Sequence, residues 1–214
     1  MERFEVAPGA VFVPDYLDMD LQRELLAACR AWASGPAGMR TVRTPGGGAM
    51  SAKQVCLGWH WYPYKYAPTV EDGDGRPVKP FPEWLGRLAN EAVAAAYGPG
   101  APADRYDIAV VNFYDGDARM GMHRDQEEKS LAPVVSFSLG DSCTFRFGNT
   151  ETRTRPYRDV ELHSGDLFVF GGASRLAFHG VPRVRPGTSP QELDLKGRLN
   201  ITLRVSGFDR PAGT

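Results

Sequence analysis

Apolar positions along this chain follow two different periods. Ala10-Val11-Phe12-Val13-Pro14 reads as a short strand closed by its proline. Asp18 or Asp20 then stands where it can cap a helix. Leu21, Leu25, Ala28 and Trp32 recur at helical spacing, and Gly35-Pro36 ends the run. A second helix is predicted from about Pro82 to Tyr97. Trp84, Leu85, Leu88 and Ala92 form its buried face, and Gly98-Pro99 is its stop. Both helices are expected to pack on the outside of a sheet. After residue 105 the period becomes that of strands. Residues 108–114, 134–139, 144–147, 167–170 and 199–205 are short β-rich runs bounded by Gly, Asp or Pro. Val135, Phe137 and Leu139 alternate with Val134, Ser136 and Ser138, as on a half-buried strand. Many short strands from one continuous region predict a sandwich or a jelly-roll barrel, and with the helices an α+β fold.

Between the helices the pattern breaks down. Thr44-Pro45-Gly46-Gly47-Gly48-Ala49-Met50-Ser51 is rich in glycine, but no G-K-[ST] follows to make it a phosphate-cradling loop. Leu57-Gly58-Trp59-His60-Trp61-Tyr62-Pro63-Tyr64-Lys65-Tyr66 is dense in aromatics, and Glu71-Asp72-Gly73-Asp74-Gly75 follows as a turn. This stretch reads as mobile hairpins, or a lid, carrying exposed aromatics. A small aromatic satellite core is the alternative.

Composition narrows the class. At 214 residues the chain suits one domain with a sizeable core plus an elaboration. With 42% hydrophobic and 24% charged residues it reads as an ordinary soluble globular protein. A net charge of −1 means that a nucleic-acid partner must be met by a local basic patch, not a global field. Arg40, Arg43, Lys53 and Lys65 on one side, and Arg153, Arg155 and Arg158 on the other, are available for phosphates. Cys29, Cys56 and Cys143 form no CxxC pair, which speaks against a zinc site or a disulfide framework and for reduced thiols in a cytoplasmic protein. The N-terminal residues resemble neither a signal peptide nor a membrane span.

The chemistry is carried by a few residues. His123 and Asp125 are two apart, which puts both side chains on one face of an extended segment. His179 comes 54 residues later (179 − 125), enough for several strands to fold back and bring it beside the pair. Two imidazoles and one carboxylate suit Fe(II), holding it on one face and leaving the other open. Arg198 and Arg204 flank Leu199-Asn200-Ile201-Thr202-Leu203, and their spacing projects both to one side of a strand. A guanidinium fork matches a carboxylate, so the pair suits a dicarboxylate, with Asn112 and Tyr114 adding neutral hydrogen bonds. His163, in Glu161-Leu162-His163-Ser164-Gly165-Asp166, reads as a turn residue, and His60 sits among the aromatics where it can touch a substrate.

Together these residues resemble the AlkB family of Fe(II)/2-oxoglutarate dioxygenases, from about Thr44 to Arg204. The anchors are Val111-Asn112-Phe113-Tyr114, Met122-His123-Arg124-Asp125, Val135-Ser136-Phe137-Ser138-Leu139-Gly140, Phe145-Arg146-Phe147-Gly148, Gly165-Asp166, Phe170-Gly171-Gly172-Ala173-Ser174-Arg175 and Arg198 through Arg204. Thr44-Pro45-Gly46-Gly47, Met50-Ser51 and Leu57-Gly58-Trp59 resemble the bacterial branch. The resemblance implies a double-stranded β-helix (jelly-roll) core over about 105–207, helices packed outside it, and a nucleotide-recognition lid over 40–80, all in one domain spanning 1–214. It implies His123, Asp125 and His179 as iron ligands, and Asn112, Tyr114, Arg198, Asn200 and Arg204 as 2-oxoglutarate contacts, with Arg204 on the far carboxylate. It implies Trp59, Tyr64 and Tyr66 as lid residues around the damaged nucleotide and Arg153 as a substrate-side arginine, though the spacing leaves Tyr62, Tyr64 and Tyr66 as alternatives. Glu127 falls where bacterial members carry Asp near the target base. With Fe(II), 2-oxoglutarate and O2, such an enzyme oxidises an N-methyl group and releases formaldehyde, succinate and CO2. The expected partner is alkylated DNA, preferably single-stranded, flipped into the site and stacked on aromatics. The expected protein is a monomer with no membrane partner. Methylated RNA or a protein side chain remains a second substrate reading, and a non-enzymatic jelly-roll binding module a third.

Overall fold

A computed structural model describes residues 1–209 of the chain. Two short strands, β1 (Phe4–Ala7) and β2 (Ala10–Val13), lead into helix α1 (Met19–Ala33). Asp18 is its cap, accepting from the Leu21 amide at 2.8 Å. The buried stripe is Gln22, Leu25, Leu26 and Cys29, rotated from the predicted one. Gln22 is tolerated there because it donates to Leu17 O at 2.9 Å and accepts from Ser164 at 2.7 Å. Helix α2 (Glu83–Tyr97) buries Leu85, Leu88, Ala89, Ala92, Val93 and Ala96. Trp84 was expected in that face. It is instead an exposed residue stacked on Trp32 of α1, with ring centroids 6.1 Å apart.

Between the helices run β3 (Arg40–Arg43), β4 (Ala49–Leu57), β5 (His60–Tyr62) and β6 (Lys65–Ala67). The glycine-rich segment is the β3–β4 hairpin turn, where Gly47 takes a φ of 82°. The aromatic segment is the β5–β6 hairpin, with Trp61 opposite Tyr66. After α2 come β7 (Ile108–Tyr114), β8 (Met120–His123), β9 (Val134–Gly140), β10 (Ser142–Phe147), β11 (Arg158–Leu162), β12 (Leu167–Phe170), β13 (His179–Arg185) and β14 (Arg198–Arg204).

The strands form two main antiparallel sheets. The larger has the order β1-β2-β12-β9-β14-β7-β4-β3, and the smaller β11-β10-β13-β8. Half of the larger sheet thus comes from upstream of residue 105. One face of it, with Val135, Phe137, Leu139, Leu199, Ile201 and Leu203, packs against the helices. Its other face meets the smaller sheet through Tyr114, Val134, Phe145, Phe147, Phe168 and Phe170. This layering is the jelly-roll core with helices outside. It also corrects one expectation, since β9 is covered on both faces and buried at every position. All three cysteines are free and buried. Among the described residues, no helix is long and apolar enough to cross a membrane.

Candidate active site

The site opens between the sheets, where β8 and β13 pair. Their register sets His123 opposite His179, and the pairing is irregular just beyond it. Gly180 permits the close approach: a Cβ there would meet Met120 O at 2.8 Å and Gly121 O at 2.9 Å. Asp125, just past the end of β8, turns into the same space. Its Oδ1 lies 3.8 Å from His123 Nε2 and its Oδ2 lies 3.7 Å from His179 Nε2. One ligand atom from each of the three falls within 4.8 Å of the others.

The protonation pattern suits a metal. Nδ1 of His123 lies 3.0 Å from Gly121 O, and Nδ1 of His179 lies 3.0 Å from Ala177 O. A carbonyl only accepts, so Nδ1 carries the proton and each Nε2 keeps its lone pair. Burial, reinforced by the charge of His123, pushes the His179 pKa down to about 4. Burial works against the Asp125 charge, but Arg204 and the two imidazoles outweigh it and hold that pKa at about 2. At neutral pH His179 therefore offers a neutral nitrogen and Asp125 an anionic oxygen. Asp125 Oδ2 is buried without a hydrogen-bond partner, as an oxygen reserved for a cation should be.

Strand β14 brings the arginines. Leu199, Ile201 and Leu203 face the helices, so Arg198, Asn200, Thr202 and Arg204 share the opposite face. Arg204 Nη2 lies 2.8 Å from Asp125 Oδ1. Arg204, expected on the far carboxylate, thus stands at the metal-cluster end of the strand. The arginine at the other end is Arg198, opposite Tyr114 in register, donating to Ser138 Oγ at 2.9 Å and to Asp141 O at 3.4 Å. Spacing alone says that both share a face and leaves open which end meets the histidines. Nε of both arginines is buried and unpartnered. A narrow cavity beside Arg204 is lined by Asn112, Tyr114, Ser136, Asn200, Thr202, His123 and His179. Two free guanidinium donors on one face fit a dicarboxylate.

A second cavity, of about 350 Å³, also adjoins the cluster. Trp61, Tyr64, Met50, Met122, Arg124 and Glu127 line it, and His123, Asn112, Met120 and Arg204 border both cavities. Tyr64 stands at the tip of the β5–β6 hairpin with a φ of 70°, strained for a non-glycine residue, and is exposed. Burial, with Glu128 and Asp125 nearby, raises the Glu127 pKa.

Three expected lid or substrate residues lie elsewhere. Trp59 packs edge-on against Phe208, with centroids 5.2 Å apart, so its ring supports the hairpin from outside the cavity. Tyr66 turns its hydroxyl inward to Glu128 and Arg204. Arg153 stands over Phe178 at 5.7 Å, beside Arg124 at 5.0 Å on the same ring. His60 does not reach the substrate cavity: it is buried, with Nε2 2.6 Å from Asp72 Oδ1. Arg40, expected to meet phosphate, bonds instead to Asp72 Oδ1 at 2.8 Å and Trp61 O at 2.6 Å. Trp61 was visible in the aromatic run but had no signal separating it from Trp59. Arg124, Glu128 and Arg175 were missed as site residues, although Arg124 and Arg175 stand in the family anchors.

Residues 9–204 match the 2OG-Fe(II) oxygenase superfamily. An alpha-ketoglutarate-dependent dioxygenase AlkB homolog of Caulobacter vibrioides is 36% identical over 201 residues, 93% of this chain and 88% of the relative. The chain belongs to the AlkB family of 2OG-Fe(II) oxygenases. Another AlkB-family relative, the DNA N(6)-methyladenine demethylase ALKBH1D of Arabidopsis thaliana, is 34% identical over 228 residues and covers 93% of this chain. The chain spans about half (50%) of that relative's length. The solved structure of OsALKBH1 shares the AlkB-family fold at a TM-score of 0.85 and 34% identity, over 95% of this chain and 99% of that one. Family membership brings Fe(II), 2-oxoglutarate and O2 as cofactors, and the donor set described above fits them.

Proposed function

We propose that this chain is an oxidative demethylase of N-alkylated bases in DNA, preferably single-stranded, of the 1-methyladenine and 3-methylcytosine type. It releases formaldehyde, succinate and CO2. The observation that carries this reading is the His123–Asp125–His179 cluster at the junction of two cavities, one walled by Arg204 with its unpartnered Nε and one lined by aromatics, methionines and a carboxylate. AlkB-family relatives named as dioxygenases and DNA demethylases support it.

When bound, Fe(II) with 2-oxoglutarate supplies activation of O2 for oxidation of the N-methyl group. The chain's own residues position and exclude. His123, Asp125 and His179 would hold the ion. Arg204, beside Asp125, would take one carboxylate of the co-substrate and Arg198 the other, with Asn112, Tyr114 and Asn200 orienting the co-substrate between them. Phe145 and Phe170 close the cavity wall against water. Trp61 and Tyr64 stack on the extruded base, and Glu127 faces its positive ring. Arg124, which lines the larger cavity, and Arg153, over the same Phe178 ring, serve the flanking phosphates. Action as a monomer in a cytoplasmic setting is part of this reading, and three buried free thiols support a reducing compartment.

The test is succinate and formaldehyde release with added Fe(II), 2-oxoglutarate and a panel of methylated DNA and RNA oligonucleotides. Release from 1-methyladenine or 3-methylcytosine DNA is the expected result. Release only from RNA would move the substrate class, and no release from any oligonucleotide would overturn the reading.

A further inference from the structure

The loop between β8 and β9 carries a carboxylate that none of the steps above uses. The Glu128 side chain is 0% exposed. Its Oε2 accepts from Arg175 Nη2 at 3.0 Å, and its Oε1 accepts from Arg204 Nη1 at 3.1 Å and from the Tyr66 hydroxyl. Arg204 Nη1 also donates to the Tyr66 oxygen at 2.9 Å. Arg175 is itself buried, and its remaining donors hold the loop: Nη1 bonds to Asp125 O and Nε to Ala132 O, both at 2.8 Å. One carboxylate thus ties together β6, β14 and the loop that carries Asp125.

A buried ionic cluster of this kind is a poor source of stability compared with apolar packing, and its best-attested use is to fix one arrangement over others. Here it fixes two things at once. It holds the Arg204 guanidinium against Asp125, and it holds Tyr66. Tyr66 is the register partner of Trp61, whose ring lines the larger cavity. A hydroxyl on the hairpin and a guanidinium beside the smaller cavity therefore share one acceptor atom.

We propose that Glu128, braced by Arg175, is a positioning residue that latches the β5–β6 hairpin to Arg204 through the Tyr66 hydroxyl, so that co-substrate bound beside Arg204 stiffens the hairpin carrying Trp61. The identity of that co-substrate rests on the functional reading above. The latch itself rests on the contacts alone. Its effect is to match the formation of the nucleotide cavity to the loading of 2-oxoglutarate.

Amide hydrogen exchange of residues 60–67 reads the latch directly. In metal-free protein, Tyr66→Phe and Glu128→Gln are each expected to speed hairpin exchange about 10-fold, the scale of one lost hydrogen bond in the opening equilibrium. The double variant should be no faster than Glu128→Gln alone, because both changes break one link. Adding Mn(II) and 2-oxoglutarate should slow hairpin exchange in the unaltered protein and leave Tyr66→Phe unslowed, while calorimetry still registers 2-oxoglutarate binding to that variant. Tyr66→Phe keeps the ring packed near Phe208, 5.6 Å away, and so carries the test alone if Glu128→Gln does not fold. Unchanged exchange in metal-free Tyr66→Phe, or slowing by co-substrate equal to that of the unaltered protein, overturns the latch. Absence of 2-oxoglutarate binding to the unaltered protein with Mn(II) overturns the functional reading instead, and the metal-free comparison still judges the latch.

Discussion

Arg204 Nη2 lies 2.8 Å from Asp125 Oδ1, while Arg198, on the same face of the same strand, bonds to Ser138 at 2.9 Å. The two arginines therefore have different neighbours and different expected phenotypes. Arg198→Ala should raise the KM for 2-oxoglutarate at least tenfold and leave Mn(II) affinity nearly unchanged. Arg204→Ala should raise the same KM, weaken metal binding, and cost about 3–5 kcal/mol of stability by stranding Asp125 and Glu128. Steady-state kinetics, a Mn(II) titration and a urea melt on each variant separate the two. Identical behaviour of both would mean that the ends of the strand are not distinct.

His123 is the most accessible member of the cluster, with a 36% exposed side chain. Its removal should spare the fold. His123→Ala is expected to abolish formaldehyde release in the presence of Fe(II), with a thermal midpoint within a few degrees of the unaltered protein. Full activity of the folded variant would remove His123 from the metal site.

Trp61 lines the larger cavity and Trp59 packs outside it against Phe208. Loss of base stacking costs about 1–3 kcal/mol per base. Trp61→Ala should weaken binding of methylated oligonucleotide by that margin and leave uncoupled 2-oxoglutarate turnover close to normal. Trp59→Ala should mainly lower stability. Fluorescence anisotropy with a labelled oligonucleotide, beside a succinate assay without DNA, gives the comparison.

His60 is buried and bonded to Asp72, which Arg40 also holds. Burial and then the Arg40 charge push the His60 pKa below its usual 6.5. Asp72 also sits low: burial opposes its ionisation, but the bonds from Arg40 and His60 prevail. Glu71 and the stacked Tyr62 ring complete the surroundings of the imidazole. Because the folded His60 resists a proton that the unfolded chain accepts, stability is lost as pH falls below about 6.5. Between pH 7.5 and 5.5 the unaltered protein should lose more stability than His60→Gln, measured by paired urea melts. Equal losses would show that another group governs the acid limb.

Much of this was legible in the sequence. The period change after residue 105 marked strand runs that the structure contains, and the spacing of His123, Asp125 and His179 marked a cluster that it brings together. What spacing left open was depth and polarity. The alternation in β9 marked two faces, but a strand between a helix layer and a second sheet is buried on both. The aromatic run 59–66 marked a hairpin, but which rings face inward depends on partners brought from β14 and the β8–β9 loop. Arg40 looked like a free cation until Asp72, 32 residues away, came beside it. Such pairings are set by the fold, so no local pattern announces them.

Asp125 and Glu128 stand against Arg175 and Arg204, two buried anions against two buried cations. These four groups already balance one another before anything enters. A divalent ion alone would add two positive charges beside this set, and a dianion alone two negative charges. Admitted together they add none. Metal and keto-acid should therefore load as a matched salt, each raising the affinity for the other.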